Sequence, residues 1–177
     1  MKKFALILCS LIFFSGCNSS VEPPGVTAMK VVDKVDVKKY MGKWFEISSI
    51  PMREQEGCFA TTATYTLRDD GEVDVFNECH DGKIDGPIKT AKGRAWVVDA
   101  NSNAKLKVSF FWPFAGDYWV IELEPEYKYA VVGHPSRNYA WILSRTPQMD
   151  EKQYQEILSR MKSQGYDLNR LKRAIHK

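Results

Sequence analysis

The chain has 177 residues, which suits one domain of ordinary size. With 44% hydrophobic and 27% charged residues it is neither a disordered chain nor a polytopic membrane protein. Its net charge is +3, of which Lys2 and Lys3 belong to an N-terminal leader; a near-neutral remainder lacks the basic stripe that nucleic acid requires, so no nucleic-acid partner is expected.

The leader comes first in chain order. Met1-Lys2-Lys3 is a positive start, Phe4 to Phe14 is an apolar run broken only by Cys9 and Ser10, and Ser15-Gly16-Cys17 closes it with small residues. The run is about half of the roughly 20 residues that span a bilayer, so it reads as a signal peptide over residues 1–16. A cysteine directly after Ser-Gly resembles the bacterial lipobox. That resemblance implies cleavage before Cys17, a diacylglyceryl thioether on its sulfur and an acyl chain on its amine. Three acyl chains exceed the two signals that stable anchoring takes. Asn18 stands where Asp would signal retention in the inner membrane, so the expected location is the outer membrane, facing the periplasm. A soluble periplasmic product is the alternative. Residues 17–34, with Glu22-Pro23-Pro24-Gly25, read as the lipidated N-terminus and a semi-extended tether. Residues 35–177 form the folded domain.

A short helical turn is expected over Asp36 to Met41, then a strand over Lys43 to Ser49. Two β-rich runs follow around Asp69-Asp70-Gly71, a strong hairpin signal. Cys58 and Cys79 fall near each other at the outer ends of that hairpin. In an oxidising compartment such thiols tend to pair, so a disulfide is expected. No metal is expected, because His80 is the one further ligand type nearby and no second Cys pair exists. Period-2 or apolar runs continue over Ala91–Val98, Lys105–Phe110, Asp117–Leu123, Tyr129–Gly133 and Tyr139–Ser144. Eight strands spaced by turn signals predict an antiparallel sandwich or barrel. One helix closes the pattern. Asp150 can cap it with Gln153 as capping-box partner, Tyr154, Ile157, Leu158 and Met161 form one apolar stripe, and Gly165 stops it.

Four segments carry a resemblance. Gly42-Lys43-Trp44-Phe45-Glu46-Ile47 opens the first strand, and Ala63 to Gly71 and Leu106 to Phe111 follow. Trp141-Ile142-Leu143-Ser144-Arg145-Thr146-Pro147 ends the last strand before the helix. In this order they resemble the lipocalin family, and within it the bacterial lipocalins, over about Val35 to Leu171. The family's turn motif, Thr-Asp-Tyr, is replaced here by Glu124-Pro125-Glu126-Tyr127, which keeps an acid before Tyr127. The resemblance implies an all-β fold: an eight-stranded antiparallel up-and-down β-barrel with one C-terminal α-helix packed outside. It further implies structural roles for Gly42, Trp44, Tyr127 and Arg145, with Trp44 plugging the closed end and Arg145 over its indole as a cation–π pair.

An eight-stranded barrel has room for one small ligand. Strand alternation gives the expected lumen set: Trp44, Ala63, Tyr65, Leu67, Val73, Val75, Leu106, Val108, Phe110, Trp141 and Leu143. A one-residue register error would flip any of these strands. The resemblance implies a lipid carrier or store, with a fatty acid or lysophospholipid as ligand, serving the envelope under stress. The competing reading is a structural or adaptor lipoprotein with a vestigial pocket. No enzymatic activity is expected, since no nucleophile–base spacing is visible and no thiol remains once Cys58 and Cys79 pair. No cofactor is expected, and a homodimer is left open.

Overall fold

The computed structural model describes residues 28–176; the leader, Cys17 and the first ten residues after it lie outside the described residues. These form two helices and nine strands: α1 (Val37–Tyr40), β1 (Gly42–Ile50), β2 (Cys58–Leu67), β3 (Val73–Asp81), β4 (Ile88–Val97), β5 (Lys105–Phe111), β6 (Phe114–Leu123), β7 (Tyr129–Gly133), β8 (Ala140–Ser144), α2 (Glu151–Ser163) and β9 (Lys172–Arg173). Strands β1 to β8 pair antiparallel with their sequence neighbours, and β1 also pairs with β8. The sheet therefore closes on itself into the eight-stranded antiparallel barrel, which removes the unpaired edges of an open sheet. The two-residue β9 is an addition that alternation did not predict. It lies along β1, Ser48 opposite Arg173 and Ser49 opposite Lys172.

Alternation decides what faces in. On β1, Trp44 points to the lumen and Phe45 outward, as their partners Ala63 and Thr62 on β2 do. Two apolar clusters result. One fills the lower lumen with Trp44, Tyr65, Val73, Val75, Ala95, Val120 and Leu143. The other lies outside the wall, where Ile47, Ile121, Val131 and Ile142 meet Tyr154, Ile157 and Met161 of α2. The apolar stripe of α2 thus packs where its spacing placed it. Asp150 caps the helix by accepting from the backbone N of Gln153 at 3.0 Å.

Strand direction sorts the connections into two ends. Residues 68–72, 98–104 and 124–128 join strands at the same end as α1, the closed end. Residues 51–57, 82–87, 112–113 and 134–139 join them at the mouth. The Cys58–Cys79 disulfide links β2 to β3 near the mouth, with Cα atoms 5.4 Å apart, within the range such bridges adopt.

Candidate functional site

The floor of the barrel is built first. Asp36 caps α1 by accepting from the backbone N of Lys38 and Lys39. The chain then turns through Gly42 at φ +95°, a left-handed value open to glycine. This sets Trp44, fully buried, across the bottom, where its indole N donates to the Tyr40 carbonyl at 2.8 Å. The Arg145 guanidinium lies 3.7 Å from the centre of the Trp44 ring. It also donates to the carbonyls of Lys39 and Met41, both at 2.9 Å, and of Lys43 at 2.9 Å. One side chain therefore satisfies the open carbonyls at the end of α1, which no intrahelical partner can reach. Tyr127, at φ +62°, brings its hydroxyl within 2.8 Å of the Asp36 amide, from which it accepts. All four residues of the resemblance meet at this one end.

Above the floor, three tyrosines converge. The Tyr118 hydroxyl lies 2.9 Å from that of Tyr40 and 3.0 Å from that of Tyr65. Burial pushes Tyr65 up to about 12 and holds Tyr40 and Tyr118 well above the ordinary tyrosine range. The hydroxyls stay protonated, and three O–H groups share two hydrogen bonds, so one O–H proton has no acceptor within the triad.

The upper lumen changes character. On several strands exposure of the inward-facing side chains is greater nearer the mouth. On β4 it runs from buried Ala95 through half-buried Gly93 to exposed Ala91; on β3 Val73 and Val75 are buried and Asn77 is half-buried; on β2 Tyr65 is buried and Ala63 half-buried. Leu67, Leu106, Val108 and Trp141 are half-buried although they pack against the lumenal cluster. Ala63, Ala91 and Gly93 are small, so little bulk projects from this part of the wall itself. Phe110 stands at the rim, 37% exposed and outside the buried cluster. The β5–β6 ladder carries a bulge between Val108 and Phe111, and the Phe110 ring lies over Gly93, where an added Cβ would meet it at 2.7 Å.

Polar groups line this upper region, and alternation read for apolar residues did not find them. Glu46 faces inward and is buried; it accepts from the Ser49 hydroxyl at 2.6 Å and from the Gln55 amide at 3.2 Å. Burial pushes its carboxyl above the ordinary range, and those two hydrogen bonds partly offset the push. Gln55 also accepts from the indole N of Trp141 at 3.2 Å. The Asn77 side-chain oxygen is buried with no hydrogen-bond partner. A period-2 rule applied to every residue type would have placed Glu46, Asn77 and Tyr118 inside. Outside the barrel, a cavity of about 270 Å³ lies among Phe45, Thr62, Glu78, His80 and His176. Among the described residues, no three His, Cys, Asp or Glu side chains are grouped to hold a metal.

Comparison with known proteins fits this geometry. A lipocalin-like domain family model matches residues 35–176. The chain is 43% identical over 155 residues to the outer membrane lipoprotein Blc of Citrobacter freundii, covering 88% of this chain and 85% of that one. It is 37% identical over 172 residues to the protein of the same name in Vibrio cholerae, covering 97% and 96%. Insecticyanin from Manduca sexta has the same fold, with a TM-score of 0.69 at 20% identity and 88% of each chain covered. A closed barrel, an Arg-capped tryptophan floor and a family model that spans the whole barrel lead to one conclusion: the chain belongs to the lipocalin family.

Proposed function

We propose that the protein is a lipid-binding lipoprotein of the outer membrane, held by acylated Cys17 and facing the periplasm, which stores or carries a fatty acid or lysophospholipid. The observation that carries this reading is the graded exposure of inward-facing side chains. A filled core would bury all of them; here Ala91, Val108 and Trp141 stay partly exposed towards the mouth, on a wall whose apolar residues are joined by Glu46, Gln55 and Asn77. A single tail enters past this rim and packs on Leu106, Val108 and Leu143. Each methylene buried contributes about 0.8 kcal/mol, so a long tail supports micromolar binding after the cost of association. Asn77 and the Glu46–Gln55–Trp141 group offer polar partners on the same wall. Two tails fit a narrow eight-stranded lumen less well. The anchor is supported by Ser15-Gly16-Cys17 and by the names of the bacterial relatives.

Native mass spectrometry of the protein extracted from its own membrane tests both halves of this reading. The expected result is a chain beginning at Cys17 with three acyl chains and one non-covalent amphiphile per barrel. A barrel that retains none, and whose tryptophan fluorescence ignores added oleate and lysophosphatidylethanolamine, is a structural lipoprotein with a vestigial pocket.

A further inference from the structure

Apolar exposure is unevenly distributed over this molecule. Of the eight large apolar side chains exposed among the described residues, six lie at the mouth: Met52, Ile88, Phe110, Phe111, Trp112 and Phe114. The last three form the tip of the β5–β6 hairpin and are 80%, 81% and 77% exposed. Water-facing aromatics gathered in this way mark an interaction surface.

We propose that this hairpin tip docks into the interface of a lipid bilayer, turning the mouth of the barrel towards the membrane. Three observations favour a bilayer over a second copy of the chain. An aromatic side chain offers about 150–250 Å², so three at these exposures present on the order of 500 Å², below the roughly 800 Å² per partner of a stable protein interface. The tip is a projecting finger of Phe and Trp, the residues that seat in the headgroup region, where a ring is buried and an indole N–H stays wet. The mouth loops carry Arg53, Lys83 and Arg137 against Glu54, Glu56 and Asp85, so no net charge opposes approach to an anionic or a neutral lipid surface.

The path of the chain agrees. Met29 is buried beside Tyr166, whose hydroxyl donates to the Met29 sulfur at 4.0 Å and to the His134 carbonyl at 3.5 Å. The described chain thus begins alongside the β7–β8 connection, a mouth-side loop. Residue 28 lies eleven positions after Cys17, a reach of at most about 40 Å. Only this tether step rests on the acyl anchor proposed above.

Nitroxide labels test the docking on the full-length mature lipoprotein in vesicles of phosphatidylethanolamine and phosphatidylglycerol. Labels are placed at Trp112→Cys, at Phe114→Cys and, as a closed-end reference, at Asp69→Cys in the β2–β3 turn. Oxygen, which partitions into lipid, and an aqueous nickel chelate then compete to relax each label. The expected result is a several-fold higher oxygen-to-nickel ratio at 112 and 114 than at 69. Equal ratios at all three positions overturn the proposal whether or not the protein floats with the vesicles, and flotation then reports on the acyl anchor alone. Spin–spin broadening between Trp112→Cys labels on neighbouring copies also overturns it, assigning the tip to a dimer contact.

Discussion

Arg145 shows how one residue can hold a barrel end together. Its guanidinium covers the Trp44 ring and donates to several backbone carbonyls around α1. Truncation to alanine removes a partly desolvated cation–π contact and leaves those carbonyls open. Arg145→Ala is therefore expected to lower unfolding free energy by about 2–4 kcal/mol, read from urea denaturation, and Arg145→Lys to recover less than half, because an ammonium has no planar fork to span the set. Glu46 works in the opposite sense. Burial raises its folded pKa above the unfolded carboxyl value of about 4.3. Its contribution is therefore fully present below that value and is lost as pH rises through the folded value. Glu46→Gln should flatten this slope: it gains on the natural protein between pH 4 and 7 and matches it near pH 4, measured by thermal unfolding across pH. The two residues differed in legibility. Arg145 was readable because it ends a characteristic motif, whereas Glu46 looks like an ordinary surface acid until β1 is known to turn it inward.

Among the elements, the β2–β3 hairpin was read almost completely. Asp-Gly at its turn and β-rich flanks placed Cys58 and Cys79 near each other, and the ladder, with Cys58 opposite Asp81 and a register shift between Phe59 and Thr62, brings their Cα atoms to 5.4 Å. The bridge closes a loop of 21 residues, for which loop entropy gives about 3 kcal/mol. Cys58→Ser with Cys79→Ser is expected to lower the melting temperature by roughly 5–10 °C while leaving the far-ultraviolet circular dichroism of the barrel in place. An unchanged melting temperature would mean that the mouth end of this hairpin is already held by packing alone. The ladder is irregular at the β5–β6 tip. Phe110 stands at the rim two residues beyond Val108, with its ring over Gly93, and β6 begins at Phe114, opposite Phe111, rather than at Asp117. Bulges insert a residue without any local sequence signal of their own, so a period-2 count has nothing from which to infer them.

The whole molecule was legible as a closed barrel because four motif segments fell in family order, each tied to one end or one wall. The composition of the lumen was half legible. Apolar alternation located its buried lower part, but not the small inward-facing residues Ala63, Ala91 and Gly93 above it, because small residues read the same in a turn, an edge or an open wall. The ninth strand was not legible at all: Lys172-Arg173 has no strand signal and pairs only because β1 and β2 part company above Phe45. The last residues fill that gap, with Ala174 donating to the Ile47 carbonyl and Ala60 donating to the Ile175 carbonyl.

This seam has a bearing on how the protein is made. β1 is among the first elements to be synthesised, yet one of its edges waits for residues 140–144 and the other, above Phe45, for residues 172–176. Its first half can pair with β2 early, through Gly42 to Phe45, but until residues 140–176 have been made its upper half has no strand to bind. The barrel is thus a structure that cannot close before β8 has been made, and a chain crossing a membrane as it is made would do so before there was a closed wall.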